Sequence, residues 1–449
     1  MNPLLDAWRD RPTHRRVWAL AAPMILSNVS VPMVALVDSA VVGHLPHAHQ
    51  LGAVAVGGSL YLLLVGVLGF LRMGTTGFAA QAAGRADGGA LRRILGQGLL
   101  LALGLALLLG ALALPTMPLA LRLMHSSPEL DALAREFFGI RLYGLPAALG
   151  SYALIGWLLG TQNARAPLAI LLTTNIVNIL LELLFVLKLG WGVAGAARAS
   201  VIAEWSGLLL GLWLTRGALR HYPGHADWSR LRSWRTWLPL LTVNRDIFVR
   251  SLALQAVFFL ITVQGARLGD ATVAANALLL NGLLVTSYAL DGLAHAVEAL
   301  CGHAIGKGDR RALRDALVVS AGWSLLASLG FVAFFAGAGH LFIDLQSDIA
   351  DVRAVAYPYL PYLAVLPLIG MWSYLLDGLF IGATRAREMR NAMLLACAVS
   401  LPLGWLLQPL GNHGLWLAFL CFMLMRGVIL AGYALWISRR DAWLAVPGP

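Results

Sequence analysis

The sequence predicts an all-α integral membrane protein: twelve transmembrane helices in two six-helix lobes related by a pseudo-two-fold axis along the membrane normal. Three observations carry this prediction. Of 449 residues, 59% are hydrophobic and only 12% charged, against about 45–50% and about 25% in a soluble domain. The apolar residues gather into runs long enough to cross a bilayer. A ten-residue segment starting at residue 84 recurs, in altered form, at residue 306. With a mean hydropathy of +0.75, too little charge remains to cover a water-soluble globule, which sets aside soluble enzymes, nucleic-acid binders and disordered chains. The net charge of +11 does not point to nucleic acid, because the basic residues sit in short loops between apolar runs. Cys301, Cys397 and Cys421 lie inside apolar stretches without C-x-x-C spacing and read as buried thiols.

A spanning helix needs about 20 mostly apolar residues. The first span, 17–43, follows Arg9, Arg11, Arg15 and Arg16 in the manner of a signal peptide's charged region. It is too long for one and contains Pro23, Pro32 and Asp38, so it reads as a retained helix. The second, 51–80, ends before Arg85, Arg92 and Arg93; the third is 93–121. The fourth, 134–160, closes on Gly160-Thr161-Gln162-Asn163-Ala164-Arg165. The fifth, 167–190, carries Asn175, Asn178 and Glu182, and the sixth is 193–215. A polar connection, 216–243, includes His221-Tyr222-Pro223-Gly224-His225. The remaining spans are 244–268, 273–303 (with Asp291, His295 and Glu298), 312–341, 355–382 (with Asp377), 391–411 and 414–438. The expected domains are therefore an N-terminal lobe 1–215, a cytoplasmic connecting loop 216–243 and a C-terminal lobe 244–449.

Charge orients these spans. The two termini and the loops after even-numbered spans carry 22 Lys and Arg; the loops after odd-numbered spans, with their flanks, carry about five. The positive-inside rule then places both termini in the cytoplasm, as an even number of spans requires. A single constant offset relates 84–93 to 306–315, Gly160–Arg165 to Gly382–Arg387, Gly43 to Gly265 and Gly192 to Gly414. One register matching at four separated places implies two six-helix halves of the same orientation. Parallel repeats of this kind are a transporter design.

Buried polar residues are the candidate site. Asp38 lies in an otherwise apolar span, where an ionised carboxylate costs roughly 2.5–3.5 kcal/mol or more. It reads either as a proton carrier or as a carboxylate near enough to the span's end to reach water. Asn178 and Glu182, four apart, share a helical face with Asn175 and must meet protein or water, as a site or as packing glue. Glu204 and Arg426 occupy equivalent positions in the two halves and are candidates for a pair. In the second half, Asp291, His295 and Glu298 can form one polar stripe; with Asp377 they suit a cationic substrate or a static network with arginines. Met24, Met33, Met73, Phe78, Tyr143 and Trp157 can furnish an adaptable apolar wall. Gly302–Gly308 lacks the spacing of a phosphate-binding loop. His44, His47 and His49 read as a polar outer loop rather than a metal site, and no hydrolase motif appears. No cofactor is expected.

Val37-Asp38-Ser39-Ala40-Val41-Val42-Gly43-His44-Leu45 resembles the first-helix signature of the multidrug and toxic compound extrusion (MATE) transporters, in particular their DinF-type branch. Gly160–Arg165, Asn175-x-x-Asn178-x-x-x-Glu182, 190–197 and Asp377-Gly378-x-x-x-Gly382-Ala383 extend the resemblance over nearly the whole chain. It implies export of amphipathic or cationic organic compounds by antiport with protons or sodium, and no enzymatic activity. It also implies a coupling site of Asp38, Asn178, Glu182 and Ser200, with a helix bend at Pro23. Here the span-5 acid is Glu rather than the usual Asp, and the span-6 hydroxyl is Ser rather than the frequent Thr. Sodium needs several hard oxygens, but two buried carboxylates with one sodium leave net negative charge at depth, so the proton is favoured. The expectation is a monomeric exporter of the bacterial inner membrane, partnered by small organic molecules, protons (or sodium) and lipid, not nucleic acid. The rival is a lipid-linked oligosaccharide flippase, against which the mostly acidic buried set speaks.

Overall fold

The computed structural model describes residues 3–43, 45, 47–124 and 127–444. His44, one of the three outer-loop histidines, lies outside them; the rings of His47 and His49 stack at 5.2 Å. Among the described residues, twelve helices are long and apolar enough to cross a membrane. They are α1 (Arg11–Gly43), α2 (His49–Gly84), α3 (Gly88–Ala113), α4 (Pro128–Gly160), α5 (Arg165–Lys188), α6 (Gly192–Leu219), α7 (Trp234–Arg267), α8 (Asp270–Lys307), α9 (Arg310–Asp344), α10 (Ala350–Gly382), α11 (Ala386–Leu406) and α12 (Asn412–Arg439). Each overlaps its expected span. Short 3-10 turns interrupt three of them, at Val67–Gly69, Leu142–Gly144 and Tyr357–Tyr359. A further short helix, Pro3–Trp8, was not legible in the hydropathy because it is too brief to show a period.

The described chain divides into two compact units, Leu26–Leu238 and a second made of Met1–Ile25 with Pro239–Pro449. One division falls within the 216–243 connection. The other falls inside α1, just after Pro23. The Met1–Ile25 segment joins the second unit through packing. Trp8 lies so close to α9 that a Cβ on Gly322 would overlap its ring, and Ile25 would overlap one on Gly292 of α8. Trp323 Nε1 also donates to His14 Nδ1 at 3.0 Å.

The duplication is visible in the backbone. Left-handed residues fall at Ala86 and Gly308, and again at Gln162 and Thr384, each pair separated by the sequence offset. Two Gly-x-x-x-Gly seams match as well. A Cβ on Gly156 or Gly160 would collide with the carbonyl oxygen of Arg72 or Thr76. One on Gly378 or Gly382 would meet those of Ala294 and Glu298 at 2.5 and 2.6 Å. Small residues thus let α4 close on α2, and α10 on α8, by the same device. Beside the first seam, the core of the Leu26–Leu238 unit gathers Leu91, Trp157, Leu158 and Ile170, with Trp157 Nε1 donating to the Leu91 carbonyl at 2.9 Å. The second unit's core gathers Leu279, Phe335, Leu363, Trp416 and Phe422. The connection is fastened to the first unit: Arg92 donates to the carbonyls of Tyr222 and Leu219 at 2.8 and 3.2 Å.

Candidate functional site

Within the Leu26–Leu238 unit, a polar seam joins α1 to α5. Asn175, Asn178 and Glu182 recur at intervals of three and four, so one face of α5 carries all three. Asn175 Nδ2 donates to Ser30 Oγ at 2.9 Å, and Ser30 donates in turn to the Ser27 carbonyl at 2.7 Å. Further along, Asn178 Nδ2 donates to Asp38 Oδ1 at 3.1 Å. Asn178 and Glu182 are buried and Asp38 is half-buried. Glu182 faces Asp38 within hydrogen-bonding reach, and its Oε2 is buried with no hydrogen-bond partner. Two carboxyl groups can bond each other only when one of them holds a proton. Glu182 is also the last residue before a π-helical turn, Leu183–Lys188, a widening that recurs at functional sites.

The structure therefore brings Asp38, Asn178 and Glu182 together. Ser200, half-buried on α6, donates its hydroxyl hydrogen to the Ala196 carbonyl one turn back, at 3.2 Å. Pro23 is half-buried within α1; lacking an N–H, it leaves the Ala19 carbonyl without its helical donor.

A second cluster in the same unit was not foreseen. Arg141 on α4 pairs with Glu204 on α6 at 2.8 Å and lies 3.9 Å from the centre of the Tyr61 ring. Tyr61 donates to the same carboxylate at 3.2 Å. Gly144 makes room for it: a Cβ there would overlap Glu204 Oε2. Arg141 is also the cation whose field reaches Asp38 and Glu182, though its hydrogen bond goes to Glu204. A signal for it was present in the sequence, since Arg72, Arg141, Arg198, Arg250 and Arg426 fall inside apolar spans rather than at their ends. An intramembrane charge is rare enough to mark a site or a pair.

Glu204 and Arg426, which the repeat aligns, are not partners; each is engaged inside its own unit. In the second unit Arg426 donates to Asp377 Oδ2 at 3.0 Å, and Arg250 donates to the same oxygen. One carboxylate thus sits between two guanidiniums, all three buried. His295 Nδ1 and Glu298 Oε1 are 3.2 Å apart on α8. Asp291, one turn earlier, is half-buried and acts electrostatically on Tyr288 and Tyr374, while Tyr374 bonds Ser287 at 2.6 Å. Of the proposed apolar wall, Met33 and Tyr143 are 62% and 75% exposed, whereas Met24 and Trp157 are core residues. Met73 is half-buried and Phe78 packs on the core.

Comparison with known proteins finds the same duplicated pattern. The model of the MatE family matches residues 23–184 and again 247–406, once per half. DNA damage-inducible protein F of Escherichia coli (strain K12) is 45% identical over 96% of this chain and 94% of its own. A protein described as probable multidrug resistance protein NorM, from Rhizobium meliloti, is 26% identical over 93% of this chain and 92% of its own. Among solved structures, a crystal structure of MATE in the bent conformation superposes with a TM-score of 0.86 at 19% identity, covering 99% of this chain and 98% of that one.

Proposed function

The chain belongs to the MatE family, and from that premise we propose that it is a multidrug efflux antiporter exporting amphipathic or cationic organic compounds in exchange for protons. The proton resides on the Asp38–Glu182 pair, held in place by the amide of Asn178, with Ser200 one helix away on α6. The observation that carries this reading is Glu182, buried on α5 beside the carboxyl group of Asp38, to which Asn178 donates. Sodium would ask for several converging oxygens, whereas Asn178 turns its amide nitrogen to Asp38.

Pro23 supplies the bend. A helix lacking one hydrogen bond yields there at low cost, and the boundary between the two compact units falls just beyond it. Protonation of the pair bends α1 and expels substrate; deprotonation straightens it. The exposed Met33 and Tyr143, with Met73, are placed to meet a varied ligand, and Asp291 adds a carboxylate for a cationic one. Asp377, between two arginines, reads as a fixed structural ion network, and His295 with Glu298 as a structural contact within α8. The protein acts as a single chain in a bacterial inner membrane, termini in the cytoplasm, as its basic loops require. The test is efflux from proteoliposomes with one ion gradient imposed at a time. A proton gradient alone is expected to drive it. Efflux driven by sodium at equal pH, and absent with protons alone, would overturn the proton assignment.

A further inference from the structure

The duplication allows each half to be read against the other. Advancing Asp38, Asn178, Glu182 and Ser200 by the repeat offset gives Leu260, Ser400, Gly404 and Phe422. These four positions, drawn from α7, α11 and α12, all line one cavity of about 260 Å³ in the second unit. The register is secure, because the left-handed backbone positions and both glycine seams obey the same offset. Where one half holds two carboxyl groups and an amide, the other holds a hollow.

Its walls are apolar. Val257, Ile261, Leu415 and Phe419 face it, two glutamines, Gln264 and Gln408, reach it, and no charged residue is among those lining it. Gly404 stands at the Glu182 position and leaves the volume open; its nearest neighbour, the Ala418 side chain, would be 3.3 Å from a Cβ there. Ser400, at the Asn178 position, is 4% exposed, and its hydroxyl is buried with no hydrogen-bond partner. The cavity opens on one side, where Leu268, Leu401 and Trp405 are exposed, and a buried hydroxyl without a partner is costly to keep. An occupant that is apolar, uncharged and carries one hydrogen-bonding group removes that penalty. The volume lies just under the range of about 300–1,000 Å³ typical of small-molecule pockets.

We propose that this cavity is a binding site for small, uncharged, apolar organic compounds, oriented by a hydrogen bond to Ser400. The proposal rests on the cavity and the repeat, not on the identity of the coupled ion. A lipid tail is the poorer occupant, since it has nothing to offer the hydroxyl.

The probe is N-phenyl-1-naphthylamine, a neutral fluorophore with one N–H, titrated into purified protein in nanodiscs. Saturable binding at one probe per chain is expected. Ser400→Ala should weaken it about three- to tenfold, the range of one net hydrogen bond. Gly404→Leu, which fills the hollow, should weaken it by about tenfold or more. Leu260→Trp fills the same space from α7 and is the second variant in case Gly404→Leu does not fold. Glu182→Gln should leave binding unchanged, which separates the result from failure of the coupling site. Unchanged binding in Ser400→Ala and in a folded filling variant would overturn the proposal. So would displacement of the probe by lysophospholipid but not by 1-naphthol, which would assign the cavity to lipid tails.

Discussion

Asp38, half-buried, and Asp377, buried, are both acids on transmembrane helices, one in each half, yet their surroundings are opposite. Asp377 accepts from two guanidiniums, so the cluster carries a fixed charge and every lone pair in use is committed. Asp38 accepts from an amide and faces another carboxyl group, while Arg141, whose charge acts on it, is bonded to Glu204. A pair of carboxyls sharing an amide changes its bonding with each proton gained. Burial alone therefore does not identify a coupling residue; the charge of its partners does.

The comparison can be broken most directly at Asp38. Asp38→Asn should abolish efflux while leaving normally expressed, folded protein, because the amide keeps the shape but exchanges no proton. Resistance at the wild-type level in cells expressing it would end the assignment.

Asp377→Ala should fail differently. It strands two buried guanidiniums, and removing one member of a buried ion cluster costs about 3–5 kcal/mol. The expected result is a lowered thermal midpoint and poor recovery from detergent, with residual transport per folded molecule. A stable but transport-dead variant would move Asp377 from the structural class to the coupling class.

Glu204→Gln sharpens the contrast by making one site resemble the other. It frees Arg141 from its carboxylate and leaves the Asp38–Glu182 pair as the best remaining counter-charge. Proton-driven efflux should slow by roughly tenfold, equivalent to about 1.4 kcal/mol in the barrier. An unchanged rate would show that Arg141 does not reach the pair.

Pro23→Ala is expected to have the smallest effect. It restores an N–H to the helix interior, so the thermal midpoint should rise while efflux falls a few-fold, roughly a kcal/mol in the barrier. A faster transporter would exclude bending there from the rate-limiting step.

The twelve spans, the duplication and the Asn178–Glu182 face were all written in the chain, because hydropathy, glycine spacing and helical period are local properties that a bilayer reads directly. Asp38 was legible for the same reason, as a charge in an apolar run. What it touches was not: its amide partner lies 140 residues away. The same holds for Arg141 with Glu204, 63 residues apart, and for Arg250 and Arg426 with Asp377, 127 and 49 apart. A repeat offset aligns positions but says nothing about which side chains meet, and so it matched Glu204 to Arg426 although neither bonds the other. The placement of Met1–Ile25 with the second unit likewise depended on Trp8 and Ile25 finding glycine surfaces on α9 and α8. Local pattern determined which segments cross the membrane. Only tertiary packing decided which buried acids are paired with guanidiniums and which face an amide and another carboxyl group, because those partners are distant in sequence and adjacent only once the helices close.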